Sequence, residues 1–270
     1  MRKSSKRSTT YRATDIAVTD ASPRVSSAGA AETPGENLLL SVLAPAEREA
    51  VRPHLQLVEL EELRVLLEAG TIPDYLYFPV TAVISIVRGV SDGTYIETGT
   101  IGREGFAGIS VFLGVESSPH RLEVQVPGTC FRISAAAFRE TVANLSTFRA
   151  AAGKFILSLL DQTGQSVVCS SRHVIPRRCA RWLLMAHDRK GTDKFVLTHT
   201  TLARMLDVRR AGVTVAALVL RKQGLIDYTR GQVTVLDRGG LEAAACECYA
   251  LNRAHLHELY STLARGRSSA

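Results

Sequence analysis

At about residue 134 the spacing of apolar residues changes, and the switch divides the chain into two kinds of structure. From Leu55 to Ile133 apolar residues alternate in short runs: LQLVEL, YLYF, AVISIVRGV, YIETGTI and RLEVQV. Gly70, Pro73, Pro79, Asp92-Gly93, Gly102, Gly105, Gly114 and Pro127-Gly128 punctuate them. Period-2 runs bounded by turn residues predict strands, and Asp92-Gly93 between two β-rich runs predicts a hairpin. Many short strands without intervening helices predict an antiparallel barrel or jelly roll.

Beyond the switch, Ala135 to Ser171 contains no proline, and one set of residues recurs at steps of three and four. The set is Leu145, Phe148, Ala152, Phe155, Leu159, Gln162, Ser166 and Cys169. This is a heptad seam on a long helix, apolar at its start and polar at its end. A seam of this kind pairs with its copy in a second subunit, or it packs back on the barrel. The first alternative makes Leu145, Phe148, Ala152, Phe155 and Leu159 the dimer contacts. Pro176 ends the helix, and RRCARWLLMAHD (177–188) starts another. The expected layout is a disordered basic tail (1–36), a β-roll (37–140) opened by a short helix at 37–54, and a dimerisation helix (141–173). A second folded domain (174–240) and a C-terminal helix and tail (241–270) complete it. The tail's six Lys/Arg would add non-specific affinity for a polyanion or simply solubility.

Charge separates the same two halves. Residues 37–171 hold ten Lys/Arg against fourteen Asp/Glu, and residues 172–238 hold fourteen against five. An acidic half joined to a strongly basic one points to a polyanionic partner for the second half. No segment has the apolar length of a membrane span, and the basic N-terminus lacks the apolar stretch of a signal peptide. Five scattered cysteines argue against a disulfide framework and fit reduced thiols, so a cytoplasmic location is expected.

The basic half contains LTHTTLARMLDVRRAGVTVAALVLRKQGLIDYTRGQVTVLD. Thr198 is the expected N-cap of a helix running to Leu206, and Ala203 lets a second helix cross closely. Asp207 stands at the tight turn, where left-handed backbone is needed. A second helix follows from Arg209 to Gln223 with Val213, Ala217 and Leu220 inward, Gly224 caps it, and two strands pivot about Arg230-Gly231. Helix, turn, helix and hairpin make a winged helix-turn-helix. Its second helix enters the major groove N-terminus first, where Arg209 and Arg210 are placed to read guanine or to hold a phosphate. Thr214 is expected one turn further along that face. Thr198, His199, Arg204, Lys222 and Arg230 are the expected phosphate contacts.

Taken in order, LLSVLAPAE, AGTIPDYLYFPVTAVISI, IGREGFAGISVFLG, the long helix and the winged motif resemble the Crp/Fnr family of bacterial transcription regulators over residues 37 to about 250. The resemblance implies an α+β chain: an antiparallel β-roll of jelly-roll, cyclic-nucleotide-binding-like type, a long dimerisation helix and a C-terminal winged helix-turn-helix. It implies a homodimer on a pseudo-palindromic double-stranded DNA operator, with RNA polymerase and a small-molecule effector as further partners. Two departures narrow it. The cyclic-AMP-binding branch carries Gly-Glu and then an Arg-Ser or Arg-Thr pair, whereas this chain has Gly108-Ile109 and Pro119-His120-Arg121, which argues against cyclic AMP. The oxygen-sensing branch needs N-terminal cysteines for an iron–sulfur cluster, and none precedes Cys130. Many members also carry Arg-Glu early in the recognition helix and another Arg a turn later. Arg210-Ala211 and Val215 stand here, so a different half-site is expected. The other reading left open is a ligand- or redox-sensing protein whose winged domain binds protein.

Near the end, Cys246-Glu247-Cys248-Tyr249 and His255 invite a metal reading, with Cys179 as a further ligand. On one continuous helix over 239–263, however, Cys246 and Cys248 would lie roughly 200° apart. No metal site is therefore expected, and buried thiols packing the tail are the alternative. No histidine and carboxylate cluster, Ser–His–Asp set or phosphate loop is legible, so the chain does not read as an enzyme.

Overall fold

The computed structural model describes residues 36–91 and 93–267; the expected tail at 1–36, save its last residue, lies outside them. The chain enters through two short helices, α1 (Leu38–Ser41) and α2 (Pro45–Val51). They replace the single helix expected there, because Pro45 cannot supply an N–H and starts a new helix instead. Strands β1 (Gln56–Leu60), β2 (Val65–Leu67), β3 (Tyr75–Pro79), β4 (Val83–Gly89) and β5 (Tyr95–Ile101) follow. After α3 (Ile109–Phe112) come β6 (Arg121–Val126) and β7 (Gly128–Ser134). These strands form two antiparallel sheets, ordered β1-β7-β3 and β2-β6-β4-β5. The β4–β5 hairpin forms where Asp92-Gly93 predicts it, with Gly93 at φ 84°.

Phe78, Phe106, Phe138 and Phe148 are fully buried, and their rings pack at 5.5–6.3 Å between centroids. Each contributes about 1.5–3 kcal/mol of burial. Phe148 comes from outside the β-roll. After α4 (Ala135–Ala137) and a turn, it lies on α5 (Ser146–Arg172), the long helix expected from the heptad pattern.

The face that helix presents to the roll corrects the dimer reading. Phe148, Ala152, Phe155 and Leu159 are buried within this single chain, with Leu145 packed beside them. They are therefore not free to meet a partner. Phe155 presses so closely on Gly105 that a Cβ there would lie 2.0 Å from the ring, and a Cβ on Gly102 would lie 2.4 Å from Arg189. The glycines of GREG are there for close packing. On the opposite face, roughly 130° around the helix, Leu157, Leu160 and Val167 are exposed by about two-thirds of their surface.

At His173 the chain turns extended and α6 (Ile175–Lys190) begins, with Pro176 in its first turn rather than ending α5. Then come β8 (Lys194–Val196), α7 (His199–Leu206), α8 (Arg210–Lys222), β9 (Ile226–Thr229) and β10 (Gln232–Val235), the strands ordered β8-β10-β9. The single C-terminal helix expected over 239–263 is two, α9 (Arg238–Ala244) and α10 (Cys248–Arg267). Ala245 sits between them at ψ 165°, an extended residue that no Gly or Pro announces. Helix α10 runs back along α5 to the roll, where Tyr260 donates a hydrogen bond to the Glu104 carbonyl.

The two charged halves meet face to face. Glu104 of the roll pairs with Arg189 of α6 at 2.7 Å, both nearly fully buried. Glu123 of β6 takes both terminal nitrogens of Arg204. Glu62 accepts from the Thr201 hydroxyl at 2.9 Å, and Glu97 accepts from the Trp182 indole at 3.3 Å. Part of the basic excess of residues 172–238 is thus matched inside the chain.

Candidate nucleic-acid interface

Helices α7 and α8 are set by three local devices. Thr198 caps α7 by accepting from the Thr201 N–H at 3.0 Å. Asp207 takes left-handed backbone (φ 47°, ψ 55°) and turns the chain sharply. Ala203 is small and buried on α7, the helix that packs against α8. Val213, Ala217 and Leu220 face inward as their spacing requires, and Gly224 ends α8 at φ 72°.

Arg209 is the N-cap residue of α8 and Arg210 its first helical residue, and both side chains are exposed. They flank the unpaired N–H groups of the helix, which favour anionic groups. The wing lies close to the start of α7, because the Leu197 N–H donates to the Gly231 carbonyl at 2.8 Å. Its tip is the two-residue turn Arg230-Gly231, with φ 50° and 78°. Successive left-handed residues match the twist of a tight hairpin. At Arg230 that conformation costs about 1–2 kcal/mol relative to glycine, and it fixes an exposed guanidinium at the tip.

His199 ties these parts together. Its ring packs on Tyr228 of β9 at 4.3 Å, and its Nδ1 lies 3.2 Å from the Thr214 hydroxyl of α8. That hydroxyl donates to the Arg210 carbonyl at 3.1 Å. Burial and the adjacent Arg210 cation hold the imidazole pKa below its ordinary value, so the neutral form is favoured. Tyr228 donates to the Leu197 carbonyl, and burial keeps its phenol protonated.

The eight residues expected to touch DNA are thus placed differently. Arg209, Arg210, Lys222 and Arg230 are exposed. Thr198 is half-buried, with its oxygen engaged in the cap. His199 and the Thr214 hydroxyl are engaged within the motif. Arg204 corrects the sequence reading outright, since its guanidinium forks onto Glu123 at 2.8 and 3.0 Å. An arginine of a first helix reads as a phosphate contact only while its neighbours across the fold are unknown. The sequence reading also missed Leu218, exposed with Ala211 and Val215 at helical spacing on the side opposite Val213 and Leu220. Once the inward set is named, that stripe is the remainder.

In the roll, Gly108 stands at φ 104° ahead of Ile109. Arg121, the one arginine of residues 109–126, lies 3.2 Å from Glu68 and 3.6 Å from Glu123, with its guanidinium over the Tyr95 ring. A phosphate clamp needs an uncommitted cation and a hydroxyl acceptor. These residues do not fit a cyclic nucleotide held in that way.

Residues 57–144 match the family model of the cyclic nucleotide-binding domain, and residues 177–244 match that of the Crp-like helix-turn-helix domain. No curated protein matches the chain. Among solved structures, a Eubacterium rectale protein assigned to the Crp/Fnr family of transcriptional regulators superposes with a TM-score of 0.57 at 16% identity, covering 77% of this chain and 99% of its own. A Thermus thermophilus regulator of the CRP family gives 0.56 at 17%, covering 69% and 95%. The c-di-GMP-responsive global regulator CLP of Xanthomonas campestris gives 0.56 at 15%, covering 71% and 99%. At such identities the structural likeness establishes the fold, and the two sequence matches, in the order found here, add the kind of each domain. The chain thus joins a cyclic nucleotide-binding domain of β-roll type, a long helix and a Crp-like helix-turn-helix domain in sequence, and it shares the fold of the Crp/Fnr-family structures it resembles.

Proposed function

We propose that this chain is a homodimeric, sequence-specific DNA-binding transcription regulator. The observation that carries the reading is the exposed Arg209-Arg210 pair at the N-terminus of α8, beside a wing whose tip presents Arg230. Arg210 forks onto guanine and Arg209 holds phosphate. The outward Ala211, Val215 and Leu218 offer apolar contacts to thymine methyl groups, so the half-site combines one guanine with thymines.

The second copy docks on the exposed face of α5. Ala150, Gly153, Leu157, Leu160, Gly164, Val167 and Ser171 recur there at alternating steps of three and four, all exposed. Gly153 and Gly164 have open space where a Cβ would stand. Glycine inside a helix costs about 1 kcal/mol relative to alanine, and close approach of a second backbone offsets that cost. A 3.5-residue repeat suits pairing with an identical helix. An effector acting on the roll or on the cysteines would shift the extended step His173-Val174 between α5 and α6.

Selection of an operator from random duplexes, followed by affinity measured against salt, tests the reading. DNA binding predicts a steep linear loss of log affinity with log salt, from counterion release at several phosphates. A winged domain that binds protein would select no sequence and would show a shallow slope.

A further inference from the structure

We infer that Cys169, His173, Cys246 and Cys248 form a tetrahedral zinc site that joins the C-terminal end of α5 to the start of α10. Their four ligand atoms all lie within 4.8 Å of one another. The Cys169 and Cys246 sulfurs are 3.5 Å apart, and the Cys248 sulfur is 3.6 Å from His173 Nδ1. Zinc bonds of about 2.3 Å to sulfur and about 2.0–2.1 Å to nitrogen give tetrahedron edges of about 3.8 Å and about 3.6 Å. The two measured spacings lie within about 0.3 Å of those edges, and no other pair of ligand atoms is more than 4.8 Å apart, close enough for one ion to bind all four.

Each ligand is placed by the chain around it. Cys169 and His173 are four residues apart at the last turn of α5, which puts them on one face. Cys246 lies in the break after α9, and Cys248 is the first residue of α10. The extended backbone at Ala245 brings both sulfurs to one side, where a continuous helix would have parted them. Cys179, the ligand the sequence suggested, is buried in the core of the winged domain instead.

The surroundings suit a metal better than a thiol packing cluster. All three cysteines are buried and group with one another rather than with aliphatic side chains. With Nδ1 toward the sulfurs, His173 presents Nε2 to the Glu247 carboxylate at 3.0 Å. A carboxylate on the outer nitrogen is the arrangement that orients a metal-bound imidazole and raises its basicity. Gln165 donates to the Cys248 sulfur at 3.0 Å. Arg181, nearly fully buried, reaches Ser166 one turn before Cys169 and sets a cation near the site. Binding Zn(II) releases three thiol protons and leaves a complex of net charge −1, which that guanidinium balances. No electron transfer is involved.

The full chain, purified under reducing conditions without metal-affinity resin, is expected to carry one zinc per chain by elemental analysis. After chelation, Co(II) added to the reduced chain is expected to give tetrahedral d–d bands in the red and thiolate charge-transfer bands in the near ultraviolet, saturating at one equivalent. Cys248→Ser should abolish this spectrum. Glu247→Gln, which keeps every ligand, should bind Co(II) about 10- to 100-fold more weakly, so the test survives if the cysteine variant misfolds. Two results would overturn the site. One is Co(II) that stays octahedral or ignores both substitutions. The other is a metal-free chain whose Cys169 and Cys246 are joined by a disulfide.

Discussion

Arg204 of α7 and Glu123 of β6 form a two-toothed ion pair, with nitrogen–oxygen distances of 2.8 and 3.0 Å, across the boundary between the winged domain and the β-roll. Glu123 is almost fully buried and also lies 3.6 Å from Arg121. Glu123→Gln leaves the buried Arg121 and the partly exposed Arg204 short of a charged partner. It should cost about 2–3 kcal/mol, below the full price of breaking a buried pair because Arg204 is partly solvated. Chemical denaturation of the variant checks this. Arg204→Ala should leave the salt slope of DNA binding unchanged, and a slope reduced by about one would put Arg204 on a phosphate after all.

Arg210→Ala should weaken binding to a selected operator by about 1–3 kcal/mol and relax preference at one base pair. Lys222→Ala should weaken all duplexes alike. Titrations of both variants on matched and mismatched operators separate base reading from phosphate holding.

Neighbouring residues on α5 should fail differently. Leu160→Asp places a charge in the proposed self-pairing seam and should yield monomers in sedimentation while the fold stays intact, since Leu160 is exposed in the single chain. Leu159→Ala removes a side chain packed on the roll and should cost about 2–4 kcal/mol of stability. A dimer that survives Leu160→Asp unchanged would place the interface elsewhere.

Gly105→Ala should be among the most damaging one-carbon additions. The new methyl would meet the Phe155 ring at 2.0 Å in a packed core, costing about 1–3 kcal/mol through displaced aromatic rings. Phe155→Leu in the same chain should recover part of the loss, which a thermal melt of the double variant would read.

Glu97 makes domain docking sensitive to pH. Burial lifts its carboxyl from 4.5 to about 7, against hydrogen bonds from Ser85 and Trp182 that favour the charged form. Between those values the folded chain keeps a proton that the unfolded chain has released. Stability from this group therefore falls as pH rises from about 4.5 to about 7, by on the order of 3 kcal/mol in full. Glu97→Gln should flatten that part of the stability profile.

The sequence made the winged motif legible because its turns need particular backbones. Asp207 is read correctly as a left-handed turn residue, and Arg230-Gly231 as the point where two strands reverse. The strands were legible by period. The direction α5 faces was not, because apolar residues occupy two of its sides at the same heptad spacing, and only the roll decides between them. The break at Ala245 was hidden for a different reason. Its residue type is a strong helix former, and the extended step is imposed by tertiary packing. The cysteine and histidine constellation was hidden with it, since two of its members lie more than seventy residues before the others.

Helix α5 meets the β-roll with Phe148 and Phe155, meets α10 along a second side, and leaves a third side open. It is a keyed shaft. Rolling it about its axis would lift buried phenyl rings into water, at about 1.5–3 kcal/mol each, and would uncouple α10 in the same stroke. Tilting or sliding keeps every side on its own surface. Any signal carried from the roll to α8 through this helix must travel as a tilt or a stroke, with no change in which side faces the roll.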